Sequence, residues 1–477
     1  MNGKKIISRL KRLSDVETIK DVEQLTHTLF PGSHCPLMGA ALVAKGIENS
    51  MVMVIGTDEC AYYTKTLTIN KDFGGIRGRC VSVVIDNHDV TFGSAETTER
   101  AFDEMIKEYS PTCVFLVTTC VIEIIGDDFD SIADQLTEKY NLPVMAVHTE
   151  HFKCADHIPG IERTITACFS MMEDAPKSNC VNILGQRLGR FDGTELHTEL
   201  VNAGVEIGLM LPSGCTIDDI KVASGAKVNV VVNETALPLA KLMEEKFGVP
   251  YVSFERYGSL ELTLNSYKTL FNHLEMELPA NTLAKYEEAK EALQVAKADL
   301  DGVTYIYGNT PFSIFEVNAF MVSIGMQPLL IQASKFNERD VIWQKEILET
   351  VDPLITKSAN ITPLQYVYDE LQPNLYLGHE YAGRLKDKNI ALVTLDQANS
   401  LLGFETALFL VNNLVACAKL AEQYRNGDKS AMMPPMMMAM MSGGAKPKMP
   451  HGKMPHGAMP PHGKMNAHKE EKTHGTM

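Results

Sequence analysis

The chain has 477 residues, of which 45% are hydrophobic and 22% are charged, and its formal net charge is −16. This balance is that of a globular protein with roughly two to four domains, and it excludes a fibre or a mostly disordered chain. The acidity argues against nucleic acid as the main partner. The basic N-terminus lacks the apolar stretch of a signal peptide, and no apolar run approaches the ~18–20 residues that span a bilayer. We therefore expect a cytoplasmic protein without a membrane partner.

A predicted N-terminal helical arm (1–29) is followed by short β-rich runs that alternate with helical stretches, as in parallel α/β units. Some runs are apolar throughout, such as VFLV at 114–117, which is typical of strands buried on both faces. The predicted strands are Met51–Gly56, Val81–Asp86, Cys113–Thr119, Pro143–His148, Cys180–Leu184, Val205–Leu209, Lys227–Val232, Val303–Tyr307, Pro328–Gln332, Leu375–Leu377 and Ile390–Thr394. We divide this α/β body into three parallel-sheet domains with helices on both faces, at residues 30–180, 181–300 and 301–428.

Two helices are predicted with particular clarity. The stretch Thr282–Leu300 is rich in strong helix formers, and Asn281 is a plausible N-cap for it. A long C-terminal helix is expected after a short turn at Gly403, and it completes the third domain.

The last segment, residues 429–477, has a different composition. Residues 432–477 hold 12 of the 25 methionines and 5 of the 14 histidines, and KMPHG occurs there twice. Pro and Gly recur without any helical or strand period, so we predict a disordered, low-complexity tail. Thioether and imidazole groups bind soft or borderline metals, so the tail is either a weak metal chelator or a solubilising spacer. The histidines concerned are His451, His456, His462, His468 and His474.

The ten cysteines do not suggest a disulfide framework in a cytoplasmic protein, and most of them read as small core residues. Cys35, Cys60 and Cys120 differ, because each lies at the edge of a predicted element in a loop with Gly or Pro nearby. The carboxyl ends of parallel strands meet at one edge of a sheet, where ligands bind, so three thiols could converge there. Thiolates hold iron–sulfur clusters, although spacings of 25 and 60 residues match no compact cysteine motif.

The residues around these cysteines resemble component 1 of the nitrogenase superfamily over roughly residues 30–425. Family members share the order CxxxGA, GxxxC, an FGG-like turn and TTCxxxxGDD. In this chain the turn reads FGS, and five residues separate Cys120 from Gly126. The matching segments are CPLMGAALVAKGIENSMVMVIGTDECAYYTK (35–65), DVTFGSAETTERAFDE (89–104), PTCVFLVTTCVIEIIGDDFD (111–130), PVMAVHTEHFKCADHIPG (143–160) and YGNTPFSIFEVNAFMVSIGMQPLLI (307–331).

The resemblance implies three Rossmann-like units around a shallow cleft in each subunit. It further implies an iron–sulfur cluster, P-cluster-like or [4Fe–4S], held by Cys35, Cys60 and Cys120 at the interface with a homologous α-type subunit or a second copy of the chain. An ATP-hydrolysing iron protein would dock there and deliver low-potential electrons, which makes the chain an oxidoreductase subunit. The sequence has no GxGxxG or GxxxxGK(S/T) motif, so we expect no nucleotide on this chain itself.

Two departures from the family bear on function. Asn233 stands about where catalytic subunits have the cysteine of a second cofactor, and their cofactor histidine has no clear match. We therefore expect no such cofactor, and the chain resembles the β-type partner or the assembly and tetrapyrrole-reducing relatives. The alternative function is a metallocluster or tetrapyrrole-cofactor assembly scaffold or reductase without its own second cofactor site. The substrate stays open.

Other acidic and thiol groups are weaker candidates. Cys154 and Asp156 lie in the loop EHFKCADHIPG, where the family places a supplementary cluster contact, and either group is able to ligate iron. The alternative is that both are ordinary loop residues. Asp127 and Asp128 follow Gly126, and we interpret them as helix N-caps rather than as metal ligands.

Overall fold

The protein was analysed as a computed structural model, which describes a large part of the α/β body. The described residues are 3–26, 34–69, 79–154, 156–186, 191–254, 257, 259–308, 313–357 and 361–430. The five tail histidines lie outside these residues, so the predicted disorder and metal binding of the tail stay predictions.

Strands occur at each of the eleven predicted places, with ends that differ by at most two residues from the prediction. The sequence does not predict three further short strands, which are Lys11–Arg12, Tyr251–Ser253 and Leu354–Lys357. In chain order the strands are β1 Lys11–Arg12, β2 Ser50–Gly56, β3 Cys80–Val84, β4 Cys113–Thr118, β5 Val144–Val147, β6 Val181–Leu184, β7 Ile207–Leu211, β8 Val228–Val231, β9 Tyr251–Ser253, β10 Thr304–Tyr307, β11 Gln327–Ala333, β12 Leu354–Lys357, β13 Leu375–Leu377 and β14 Ala391–Val393.

Helices connect these strands, as parallel sheets require. They are α1 Gly3–Ile7, α2 Pro36–Ala44, α3 Asp58–Ile69, α4 Asn87–Phe92, α5 Ala95–Tyr109, α6 Cys120–Ile125, α7 Phe129–Tyr140, α8 Ile158–Ala167, α9 Glu195–Asn202, α10 Ile217–Lys221, α11 Leu237–Phe247, α12 Leu260–His273, α13 Ala280–Leu300, α14 Ile314–Ser323, α15 Asp340–Leu348, α16 Ile361–Leu371, α17 Ala382–Asp387 and α18 Phe404–Arg425.

The strands form three sheets. The first has the order β3-β2-β4-β5, the second β7-β6-β8-β9 and the third β1-β12-β11-β10-β13-β14. All neighbouring pairs are parallel except β1 and β12, which pair antiparallel. The predicted α/β class with several parallel-sheet domains is therefore confirmed.

The first sheet is covered by helices on both faces. Along β4, Val114 and Leu116 pack in the same apolar cluster as residues of α5 and α7. Phe115 and Val117 point the other way and pack in a cluster with residues of α2 and α8. Successive side chains of a strand alternate between faces, so a strand covered on both sides is apolar throughout. The cluster that contains Phe115 and Val117 also includes residues of the second sheet, so the first two sheets share one core.

Residues 3–26 pack onto the third sheet. β1 pairs Lys11 with Ile355 and Arg12 with Leu354, and Ile6 and Leu10 are buried in the apolar cluster of that domain. Within residues 3–26, the predicted N-terminal helical arm contains a five-residue α-helix, two 3-10 helices and a short strand that extends the third sheet.

The two clearly predicted helices are present, with one difference each. α13 begins at Ala280, and Asn281 lies inside its first turn, where its side chain donates to Glu199 Oε1 at 2.6 Å. The N-cap prediction for Asn281 is therefore wrong, because a buried carboxylate takes its amide instead. By length and composition α18 could cross a membrane, against our expectation that no run would do so. It nevertheless packs against α13 and β14 as a core helix.

Candidate metal centre

The three candidate thiols lie at the carboxyl edge of the first sheet. β2 ends at Gly56, and Cys60 stands in the first turn of α3, which follows it. β4 pairs with β2 and ends at Thr118, and Cys120 is the first residue of α6. Cys35 precedes α2, whose chain runs back into β2, so the start of α2 lies at the same edge. Alternation of strand and helix thus places all three beside one another.

The three thiols are close enough to affect one another electrostatically. Burial raises the pKa of the Cys35 thiol, and Cys60 and Cys120 raise it further, against the effect of the Leu37 and Met38 amides. Burial likewise raises the pKa of Cys120, with Cys60 as the next cause. The three sulfurs do not all lie within 4.8 Å of one another. Among the described residues, the ligand atoms of Asp86, His88 and Asp89 are the set of three that does.

Close backbone contacts bring the elements with the thiols together. A Cβ on Gly56 would lie 2.2 Å from Thr119 Oγ1, so only glycine lets the end of β2 meet the residue before Cys120. A Cβ on Gly39 would lie 2.2 Å from His157 O, and one on Gly160 would lie 1.9 Å from Pro36 O. α2 therefore meets α8 backbone to backbone, directly beside Cys35.

Sequence reasoning missed one residue of this site, His151. Its Nδ1 lies 3.3 Å from Cys120 Sγ, and both groups reach the surface. His151 follows the carboxyl end of β5, the strand next to β4. That position, after a strand at the same edge of the sheet, is the signal that could have identified it. On the opposite side, Tyr63 Oη lies 2.7 Å from Nδ1 of His34, the residue before Cys35.

Cys154 and Asp156 interact with a different set of groups from the three thiols. Cys154 Sγ lies 3.6 Å from Thr149 O and 3.8 Å from Arg163 Nη1. Burial raises the pKa of Cys154, while the Arg163 charge lowers it. Asp156 is buried and accepts a hydrogen bond from Ile158 N at 2.9 Å, at the start of α8. Asp156 thus has a structural contact, and a ligand role for either residue stays a prediction.

Cys154 and Asp156 instead line a cleft of about 1090 Å³ between the three sheets. Glu162 of α8, Glu234 after β8 and Lys335 after β11 meet in it. Lys335 forms an ion pair with Glu234, and burial raises the pKa of Glu162 against the effect of Lys335. Among the described lining residues, Cys154 is the one thiol.

Asn233, the residue before Glu234, is engaged in a local cap. Its Oδ1 accepts hydrogen bonds from Thr235 N at 3.1 Å and from Thr235 Oγ1 at 2.7 Å. The amide oxygen therefore begins the short 3-10 helix Glu234–Ala236.

Comparison with known proteins identifies the family. The family model for nitrogenase component 1 type oxidoreductases matches residues 35–418. The chain belongs to this family. It is 29% identical over 366 residues to the nitrogenase iron-molybdenum cofactor biosynthesis protein NifE of Clostridium pasteurianum. This match covers 72% of this chain and 77% of that protein. It is 25% identical over 358 residues to the nitrogenase molybdenum-iron protein alpha chain of Methanosarcina barkeri, at 72% and 66% coverage.

A solved structure of nitrogenase Cp1 at pH 6.5 has the same fold as this member of the nitrogenase component 1 type family. The TM-score is 0.71 at 17% identity, and the match covers 85% of this chain and 96% of that one. The resemblance inferred from the TTC…GDD segment is therefore confirmed at the level of family and fold.

Of the two aspartates in the GDD segment of this nitrogenase component 1 type chain, Asp128 is a helix N-cap as predicted, and Asp127 is not. Asp128 is the N-cap of α7 and accepts from Ser131 N at 3.0 Å. Asp127 accepts from Ser94 N at 2.7 Å and from Ser94 Oγ at 2.6 Å, and Ser94 is the N-cap of α5. Both carboxylates thus bind to serines at the starts of helices.

Four large apolar side chains are exposed at the edge of the sheet that carries the thiols. They follow β2, β3, β4 and β5 in turn, and we call them the apolar rim: Tyr62 (72% exposed), Phe92 (76%), Ile124 (70%) and Phe152 (69%). All four lie in the segments that follow the strands of the first sheet.

Proposed function

We propose that this chain is a nitrogenase component 1 type subunit that holds an iron–sulfur cluster through Cys35, Cys60 and Cys120. The cluster would lie at the interface with a homologous α-type subunit or a second copy of the chain. Low-potential electrons would pass from an ATP-hydrolysing iron protein, through this site, to a reduction site. The convergence of the three thiols on one edge of the first sheet is the observation that carries the proposal.

The donor set fits an iron–sulfur cluster better than a single metal ion. Three half-buried thiols at one edge of a sheet are the ligand type that iron–sulfur clusters take. A cluster supplies one-electron transfer at low potential when it is bound. A [4Fe–4S] cluster takes about four protein ligands, one more than the three cysteines provide. We infer that a second subunit completes the set.

The apolar rim supports the interface part of the proposal. Its four side chains surround the edge at which Cys60 and Cys120 stand, so a partner that covers the thiols would also bury these groups. Burial of apolar surface is the main driving force of stable association. A homologous subunit that presents its own thiols would meet both requirements.

A second candidate function is a scaffold for metallocluster assembly. It is favoured by the similarity to NifE, which is named as a cofactor biosynthesis protein. Asn233 is committed to a cap, and the cleft of about 1090 Å³ has Cys154 as its one described thiol. Such a cleft could hold a cluster loosely enough to release it. The relatives named above are one NifE and one alpha chain, and the printed name of NifE is what favours the assembly type.

Iron content tests the ligand assignment. We expect Cys35→Ala, Cys60→Ala and Cys120→Ala each to lower bound iron and sulfide in anaerobically purified protein. Cys417→Ala is the matched control, because Cys417 is buried in α18 and bonds only to Leu392 O at 3.4 Å among the contacts described for its sulfur. Equal iron content in all four variants would exclude these cysteines as ligands.

Two assays separate the redox subunit from the scaffold. A redox subunit reoxidises a reduced iron protein in the presence of ATP, and the electrons appear in a reduced product. A scaffold transfers iron to an apo acceptor protein, and its own iron falls in step. ATP-dependent electron flow without loss of iron would support the first function, and the opposite result would support the second.

A further inference from the structure

The loop between β5 and α8 brings an imidazole to one of the candidate ligand thiols. His151 Nδ1 lies 3.3 Å from Cys120 Sγ, which is hydrogen-bond distance for a sulfur acceptor. His151 begins a short 3-10 helix, His151–Lys153, so its backbone is helical rather than extended. The contact therefore comes from a defined turn.

The α6 side of the site holds this loop through a single carboxylate. Glu123, one turn after Cys120, accepts a hydrogen bond from the backbone N of Glu150 at 2.8 Å. The same Oε1 accepts from Thr118 Oγ1 at 2.7 Å and from Thr149 Oγ1 at 3.3 Å. Glu123 thus fixes the two residues before His151 to the helix that begins with Cys120.

The α8 side holds the same loop through Arg163. Its Nη1 donates to Thr149 O at 2.6 Å and to His148 O at 3.0 Å, and its Nη2 pairs with Glu150 Oε2 at 2.6 Å. Glu150 has φ of 43°, in the left-handed region that a residue with a side chain seldom adopts. Such strain persists only where the surroundings over-determine the backbone. Two networks are therefore maintained to present one imidazole.

We propose that His151 donates a hydrogen bond to the Cys120 sulfur and raises the reduction potential of a cluster bound there, with Glu123 and Arg163 as positioning residues. A donor to a ligand sulfur stabilises the more negative, reduced state, and hydrogen bonds to sulfur are among the factors that set cluster potentials. The proposal rests on the proposed function only in requiring a cluster on Cys120.

The test is an EPR-monitored redox titration of the full chain, purified anaerobically with its partner. We expect His151→Ala to keep wild-type iron and to lower the reduction equilibrium constant roughly tenfold, or 59 mV for a one-electron couple. His151→Asn should bring the potential most of the way back to the wild-type value, because its amide nitrogen sits as far from Cβ as Nδ1 does. His148→Ala is the control, since His148 pairs with Asp130 at 3.1 Å.

The positioning role has its own readout. Removal of the Glu123 charge raises the potential in any background, whereas loss of the His151 contact lowers it only where His151 is present. Glu123→Ala should therefore give a less positive potential shift in the wild type than in the His151→Ala background. An unchanged potential in His151→Ala with a full complement of iron would overturn the proposal and leave the proposed function standing. Loss of iron in His151→Ala alone would overturn it too, by making His151 a ligand. Absence of a cluster in the wild-type protein would instead refute the proposed function.

Discussion

Gly56→Ala is a direct perturbation of the geometry that places Cys120. The new Cβ would lie 2.2 Å from Thr119 Oγ1, 2.9 Å from its Cγ2 and 3.1 Å from its Cβ. Thr119 is buried and donates from Oγ1 to Ile55 O at 2.9 Å. The threonine must therefore leave its position, and Cys120 follows it in the chain. Gly56 has no positive φ, so the effect is steric rather than conformational.

The expected cost follows from three contributions. Inserting a methyl group into a packed core costs roughly 1–3 kcal/mol. Losing the hydrogen bond of Thr119 adds about 1 kcal/mol. The reduced entropy of alanine in the unfolded chain offsets roughly 0.4–1 kcal/mol. The net destabilisation of Gly56→Ala is thus about 2 kcal/mol.

A double-mutant cycle isolates the contact. Thr119→Ala alone should cost about 2 kcal/mol, because it removes both the hydrogen bond and a buried methyl group. In the double variant the two closest clashes disappear, so we expect a favourable coupling of about 1–2 kcal/mol between the sites. The free energies come from urea denaturation of the iron-free protein, followed by circular dichroism. Additive effects would refute the steric reasoning.

Iron content in the same variants connects the contact to the site. Gly56→Ala should lower bound iron, and the double variant should recover part of it. The control is Gly126→Ala at the other end of α6, where a Cβ meets nothing within 4 Å and φ is 83°. That variant loses about 1 kcal/mol through backbone strain but should keep its iron. Iron loss that merely follows stability in all variants would contradict a positional role for Gly56.

Two carboxylates give predictions with opposite pH dependence. Burial raises the pKa of Asp340 from 3.8 to about 6, so folding stability falls as pH rises through that window. Asp340→Asn should be more stable than wild type at pH 7, by up to about 3 kcal/mol, and the difference should vanish below pH ~4 in denaturation curves. Burial opposes ionisation of Glu199, but bonds from Thr282 and Lys285 outweigh it and hold its pKa below 4.5. Its contribution is therefore complete above pH ~4.5 and lost as pH falls through the lowered pKa; Glu199→Gln should cost about 2 kcal/mol at pH 7 and little in acid.

The sequence predicts the thiol site because its determinants are local. Each cysteine follows or precedes an apolar run that can only be a buried strand or its flanking helix, and parallel pairing brings the ends to one edge. What the sequence does not reveal is distance. Gly39 and Gly160 allow the contact between α2 and α8, which the sequence does not show. That contact joins residues about 120 positions apart in the chain.

The unpredicted strands have a common physical origin. β9 and β12 follow Pro250 and Pro353 and have only three and four residues. A run this short after a proline is as typical of a turn as of a strand. β1 has two residues, and it is a strand only because Leu354 and Ile355 offer it a partner. Short strands take their conformation from the sheet they join rather than from their own composition.

The candidate metal centre and the cleft share one segment of chain, which limits how independent they can be. His151 contacts Cys120, while Cys154, three residues on, lines the cleft. Arg163 donates to Thr149 O, pairs with Glu150 and reaches Cys154 Sγ at 3.8 Å. A shift of this guanidinium would change the surroundings of both thiols at once. A change of charge in the cleft near Cys154 would thus act electrostatically on Arg163, the residue that positions His151.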